Sequence, residues 1–344
     1  MRLIGIDENG YGPVLGPLVV TSTSLKLQNR SLAPVPDLWK LLGIKKDPHS
    51  NSNELLVCDS KTVFNASRKK ELAAEATVLA FFYLSFGFLP ESADQFLNVV
   101  IDPSTTTYNP FCFCWKNDLS LQLNAERRKN IRKTADRLRK RTDKSGVVLE
   151  KPRCFLFCPF RFNEGLKSRN KSDLVIESGL SLIRRCVKDG QFHACLGKVG
   201  GLRYYREPIS ALFGPQCTVT PTREEKNNSA YQLSRANKTA GTITYLRDGE
   251  DNSFLIALAS LFGKYTRELF WKKTRTYLEE LLPSPPPQAP PFQSFGKGTR
   301  PRQRGDSRYH ASGYRDPLTR RFIRETEGLR KKLNIPDDCF LRRK

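Results

Sequence analysis

The chain has 344 residues, 38% of them hydrophobic and 27% charged. That is enough apolar content for one sizeable core, and too much for wholesale disorder. Its 58 Lys and Arg against 35 Asp and Glu leave a formal charge of +23, which favours polyanionic partners, nucleic acid before an anionic membrane surface. No apolar stretch is long enough to span a bilayer, and Met1-Arg2 leads into a short apolar run instead of a secretory signal.

Nine cysteines are present, with Cys112 near Cys114 and Cys154 near Cys158, but neither pair has a second pair at zinc-site spacing. The histidines His49, His193 and His310 are scattered. The cysteines therefore read as reduced, mostly buried and structural, in a cytoplasmic protein. Nothing marks an oligomer interface, so a monomer is the default.

Leu3–Ile6 is a short apolar run ending at Asp7-Glu8, followed by a turn punctuated by Gly10, Gly12, Pro13, Gly16 and Pro17. Leu18–Leu27 is β-branched and partly alternating, so the first two strands form a hairpin-like unit. Residues 67–83 predict a helix with Ser67 at its start. Residues 117–143 are strongly basic with a thin apolar stripe. That face suits bulk solvent and a phosphate backbone equally. Cys154–Phe160 reads as a strand, Asn170–Val187 as an amphipathic helix, Phe192–Leu196 as a buried strand ending at Gly197, and Thr242–Leu246 as an alternating strand. Ser253–Leu282 is the longest helical pattern. A Pro- and Arg-rich linker at 283–311 follows, then a helix over Pro317–Leu333 and the basic end Arg342-Arg343-Lys344. The whole predicts an α/β protein with a mixed sheet flanked by helices: a core over 1–282 with a basic helical insertion at about 117–143, the linker, and a C-terminal helix and tail over 312–344.

Asp7 and Glu8 are adjacent acids at a strand end, where the turning backbone lets side chains of opposite faces converge. Oxygen donors of this kind suit Mg²⁺ or Mn²⁺, and metal-bound carboxylate sites serve phosphodiester hydrolysis. Two solvated turn carboxylates are the plainer alternative. The run Ile4-Gly5-Ile6-Asp7-Glu8-Asn9-Gly10-Tyr11-Gly12-Pro13-Val14-Leu15-Gly16-Pro17 closely resembles the N-terminal signature of the ribonuclease HII family. Asp59-Ser60-Lys61 with Arg68–Leu72, Asp251–Ser260 with Lys264–Glu268, and Gly313-Tyr314 are similar to later segments of that family, in the same order.

The resemblance implies a ribonuclease H fold and metal-dependent hydrolysis of the RNA strand of RNA–DNA hybrids, or cleavage at ribonucleotides embedded in DNA. It makes Asp7, Glu8 and Asp251 catalytic metal ligands. Gly10, Tyr11, Gly12, Gly313 and Tyr314 would contact the substrate at the ribonucleotide, and Lys61 and Lys264 would hold phosphates. Tyr314 as a plain core aromatic stays open. Two departures stand out. Tyr11 occupies a turn position where the family usually has arginine. Gly197 occupies the strand end where the family carries another catalytic Asp, and glycine offers no ligand. Asp189 sits at the wrong end of that strand, Glu207 would need a folded-back loop, and Glu250, beside Asp251, is expected to point away. Three acids can still hold one metal, so a catalytically degenerate binder of nucleic acid stands beside the nuclease.

Overall fold

The alternation of Leu3, Gly5 and Asp7 with Ile4, Ile6 and Glu8 gives the first strand two different faces, both covered. A computed structural model of the chain describes residues 1–28, 35–47, 55–64, 67–103, 118–187, 190–215, 217–236, 238–282 and 311–343. Its strands are β1 (Arg2–Asn9), β2 (Leu18–Leu27), β3 (Val147–Leu149), β4 (Arg153–Phe157), β5 (Phe192–Gly197), β6 (Thr218–Glu224), β7 (Asn228–Arg235) and β8 (Lys238–Leu246). The helices before the middle of the chain are α1 (Leu38–Leu42), α2 (Ser60–Phe64), α3 (Arg68–Phe86), α4 (Ala93–Val100) and α5 (Ala125–Ser145). They continue with α6 (Pro159–Gly165), α7 (Lys171–Cys186), α8 (Arg206–Phe213), α9 (Gly249–Asn252) and α10 (Phe254–Leu281), and end with α11 (Pro317–Glu325), α12 (Glu327–Lys332) and α13 (Asp337–Phe340).

The strands form one sheet in the order β3-β2-β1-β5-β8-β7-β6, with β4 also beside β2. β1 is antiparallel to β2, with Asp7 opposite Thr21, and parallel to β5, with Ile6 opposite Leu196. β8 runs parallel to β5, with Leu246 beside Gly197. This mixed core, an antiparallel pair feeding two parallel strands, is the ribonuclease H-like arrangement. The C-terminal ends of β1, β5 and β8 therefore lie side by side. Such strand ends are where open α/β sheets present their functional loops.

Two apolar layers sandwich the sheet. On one face Leu3, Val19 and Leu25 pack with Leu255, Leu258 and Phe262 of α10 and with α3, α4 and α5. On the other, Ile4, Ile6 and Val20 pack with Leu174, Leu180 and Ile183 of α7 and with Ile209 of α8. α10 comes so close to β1 that a methyl at Gly5 would overlap the Leu255 backbone, and one at Gly263 would overlap the Asn9 side chain. The C-terminal helices dock through Phe322 and Phe340 onto Trp271 and Leu278 of α10 and onto Leu15.

Several elements differ from the sequence reading. The strand expected over Cys154–Phe160 stops at Phe157, because Pro159 opens α6. The expected C-terminal helix divides at Thr326 into α11 and α12. β6, β7 and α4 carry no counterpart in that reading. The expected linker lies outside the described residues except for Ala311. Among the described residues, no helix is long and apolar enough to cross a membrane, and Cys58, Cys154, Cys186, Cys195 and Cys217 are free thiols.

Candidate active site

Asp7 faces α10 and Glu8 the opposite layer, but at the strand's exit both line one cleft of roughly 470 Å³. Asp7 is 5% exposed and its Oδ2 has no hydrogen-bond partner. Burial is the main reason its carboxyl is held well above the usual carboxylate range, with repulsion from Glu8 and then Glu250 adding to it. The Ser260 hydroxyl and Lys61 pull the other way. Burial first, and Glu250 second, push Glu8 up to about 7. Lys61 is held protonated against its own burial by Asp59, Glu250, Asp7 and Glu8. Ser60, one residue earlier, bonds Ser260 of α10 at 2.9 Å and so fixes α2 beside the pair.

The third acid of the cleft is Glu250, not Asp251. Glu250 lines the cavity with Asp7 and Glu8, whereas Asp251 is exposed outside that lining and its backbone carbonyl accepts a hydrogen bond from the Lys46 ammonium. The expectation that Glu250 points away is thereby overturned. α9 is a single turn entered through Asp248 at φ +50, and this left-handed step rotates Glu250 toward the strand ends. Burial, and then Asp59, raise the Glu250 carboxyl as well.

Gly197 ends β5 in the same cleft. A Cβ built on it would lie 3.5 Å from Oδ1 of Asp7 and 3.8 Å from Oε2 of Glu8. A side chain here would thus project between the two carboxylates, where a further acidic ligand would be aimed. Asp189 falls outside the described residues, and Glu207 is exposed on α8 away from the cleft lining.

Around the acids the cleft is basic. Lys198, Arg203, Lys226 and Arg247 form its far wall, contributed by the β5–α8 segment and by the β7 and β8 ends. The sequence reading missed this wall together with the hairpin that carries it. Its signal was the pair Lys226 and Arg247, which bracket two strands of the same sheet edge.

The glycine turn is built for close approach. Gly10 has φ +89, and a Cβ there would meet the Pro17 carbonyl at 2.5 Å and Arg267 at 2.8 Å. Gly313 follows the same logic at φ +86: its carbonyl accepts from the amides of Val14 and Leu15, which ties the C-terminal segment to the turn. Tyr314 is 49% exposed, and a Cβ on Gly12 would lie 3.5 Å from its ring. It is a surface ring over the turn, so the core-aromatic alternative is closed. Tyr11 turns away toward α7, its hydroxyl 3.2 Å from that of Ser172. Lys264 is not brought to the cleft; its ammonium pairs with Glu268 at 2.9 Å.

Among the described residues, no group of three or more His, Cys, Asp or Glu converges tightly enough to hold a metal ion. What remains is the pair Asp7–Glu8, with Glu250 close enough to repel both. In donor chemistry the pair fits a hard divalent cation: oxygen ligands, one of them unpartnered, in a setting where a dication would relieve the repulsion.

No family model matches the chain. No curated protein matches it either. Among solved structures, it is similar to the PCNA–RNase HII complex from Archaeoglobus fulgidus at 16% identity, covering 99% of this chain and 94% of that one with a TM-score of 0.38. It is also similar to the ribonuclease H2 from Pyrococcus horikoshii OT3 at 12% identity, covering 99% and 92% with a TM-score of 0.39. Bst-RNase HIII in complex with Mn²⁺ matches at 11% identity over 81% of this chain and 55% of that one, with a TM-score of 0.31. Likenesses this distant leave the assignment of the fold to the strand order itself. That order defines the class: a protein with a ribonuclease H-like fold, carrying a carboxylate pair in a basic cleft.

Proposed function

We propose that the chain is a metal-dependent endonuclease that hydrolyses the RNA strand of RNA–DNA hybrids or cuts at ribonucleotides embedded in DNA. The observation that carries this reading is the convergence of Asp7, Glu8 and Glu250 on a cleft whose far wall is cationic. Asp7 and Glu8 would hold Mg²⁺ or Mn²⁺, with Glu250, in place of the expected Asp251, as the third acid lining the cleft beside them. When bound, such a cation activates water and stabilises the leaving oxygen of a phosphodiester. Lys61 offsets the charge of the three acids and can hold the scissile phosphate. The glycine turn lets the backbone come up against sugar and phosphate. The Tyr314 ring beside it suits the ribose, whose 2′-hydroxyl separates the RNA sugar from that of DNA. In this reading residues 1–282 are the catalytic core, joined through the segment at 283–311 to a C-terminal attachment over 312–344.

A second reading rests on Gly197. Without a side chain between the two carboxylates, the protein would keep the fold and the basic cleft and serve by binding nucleic acid without turnover.

One assay separates the two: a labelled DNA duplex carrying a single ribonucleotide, incubated with Mg²⁺ or Mn²⁺. The nuclease reading expects metal-dependent cutting, reduced by about 100-fold (about 2.7 kcal/mol) or more in Asp7→Asn. It expects a fall of about tenfold or more in Glu250→Gln, and rates within about twofold of the parent in Asp251→Asn. Tight hybrid binding with no cutting in either metal would establish the binder instead.

A further inference from the structure

Outside the cleft, cations also gather at the tip of the Gly10–Gly12 turn, three residues beyond Asp7, or about 10 Å at the rise of a strand. Arg342 reaches the turn from the C-terminal segment and donates from Nη1 to the Gly10 carbonyl and from Nη2 to the Tyr11 carbonyl. Its guanidinium lies 4.1 Å from the centroid of the Phe162 ring, and its Nε is buried with no partner. Lys171, the first residue of α7, stands 5.6 Å over the ring of Tyr11 and 5.7 Å from that of Phe162. Arg315 approaches from beside Tyr314. Burial first, then Arg342 and Arg315, lower the Lys171 ammonium's affinity for its proton, and Arg267 repels the Arg342 guanidinium that burial already disfavours.

Like charges do not converge without a reason that outweighs their repulsion. The carboxylates of the neighbouring described segments do not supply one. Asp173 accepts from the Asn170 amide in the α7 capping box, Asp316 accepts from Ser312 and Thr319, and Asp338 pairs with Arg343. The 16-residue helix α7 also begins here, and its positive end adds to the field. Among the described residues, no carboxylate pairs with Lys171, Arg315 or Arg342.

We infer that Lys171, Arg315 and Arg342 form the seat of one backbone phosphate of the bound nucleic acid, on the far side of the glycine turn from the carboxylates. The inference deepens the proposed function and rests on it. The turn and Tyr314 then lie between two anchored points of the strand, the seat at one end and the cleft at the other. A ribose is thereby held against the turn's backbone while the phosphates on either side are fixed. The cations come from α7 and the C-terminal segment because Tyr11, at the tip itself, carries no charge.

The test is fluorescence anisotropy of a labelled RNA–DNA hybrid in EDTA, so that no strand is cut, over a range of KCl. Arg342 is buried and its loss risks unfolding, so the variant is Lys171→Gln with Arg315→Gln, the first half-buried and the second exposed. A control removes the same charge at exposed Lys272 and Lys332. The seat expects about tenfold weaker binding and a slope of log K against log salt shallower by about 0.9, the value of one phosphate, in the first variant only. Unchanged affinity and slope, or an equal loss in the control, overturns the seat while leaving the cleft reading intact. A parent protein that does not bind the hybrid at all overturns both.

Discussion

At the scale of the residue, the position that decides most is Gly197. The built Cβ at 3.5 Å and 3.8 Å from the two carboxylates means that an acid introduced there has only one place to go, and the backbone is in no left-handed strain that would resist it. Gly197→Asp is therefore expected to act as two opposed changes. Without metal it adds a further carboxylate to a pair already raised by burial and repulsion, and the melting temperature falls by about 2–4 °C. With Mn²⁺ it completes a ligand set, so the cation-induced rise in melting temperature exceeds that of the parent and cleavage of the ribonucleotide duplex increases about tenfold or more. Thermal melts with and without Mn²⁺ read the first effect and the cleavage assay the second. A variant whose melting responds to Mn²⁺ no more than the parent's would remove the cleft from consideration as a metal site. The same scale shows what sequence can and cannot reveal. Asp7 and Glu8 were legible because two acids closing an apolar run before a glycine turn are read directly from the chain. Glu250 against Asp251 was not. Successive residues of a one-turn helix point about 100° apart, and four residues carry too little periodicity to set the phase. Here the phase is set by the left-handed Asp248, which nothing nearby in the sequence announces.

The elements repeat this lesson in their packing. β1 and α10 were both legible, one from its apolar alternation, the other from its length. Their intimacy follows from two glycines far apart in sequence, Gly5 and Gly263, whose missing methyls allow the helix backbone to touch the strand. That contact brings Ser260 of α10 to Asp7, so the closeness serves the site as well as the core. Gly5→Ala is expected to cost about 1–3 kcal/mol, because neither backbone can yield without moving the central strand. Gly201→Ala, where no atom lies within 4 Å, should stay within about 0.5 kcal/mol of the parent. Urea unfolding of the two variants makes the comparison, and equal midpoints would mean that α10 and β1 are not held by close approach. The hairpin β6–β7 was illegible for the opposite reason. Its strands, TVTPTRE and NSAYQLSR, face solvent on one side and mix hydroxyls with apolar residues. Pro221 falls inside the first of them, as only an edge strand tolerates. With the hairpin unseen, the basic wall at its end was unseen too.

The whole molecule carries a charge of +23, and its distribution decides whether that number means binding or solubility. α5 is the sharpest case. Its buried stripe is Ile131, Ala135, Leu138 and Thr142, and part of its charge is structural: Arg127 pairs with Glu75, and Arg141 donates to the carbonyls of Leu42 and Gly43. Lys129, Lys133 and Lys140 are exposed and take no part in that packing, so they are the charges to remove. A face of one sign on a rigid helix addresses phosphates without regard to sugar or base. The triple change to Gln is therefore expected to weaken hybrid and duplex DNA alike, by about three- to tenfold near 0.1 M salt, and to flatten both salt slopes equally. Cleavage of a saturating ribonucleotide duplex should not change, since the proposed site lies at the far ends of β1, β5 and β8. Binding isotherms on the two duplexes at several salt concentrations distinguish the outcomes. A loss confined to the hybrid would mean that α5 reads the ribose-bearing strand, and no loss on either would return it to solvent. A molecule of this charge needs its specificity elsewhere. In the proposed function, the turn under Tyr314 and the cleft beside it would tell sugar and scissile phosphate apart, while α5 would hold any polyanion near them.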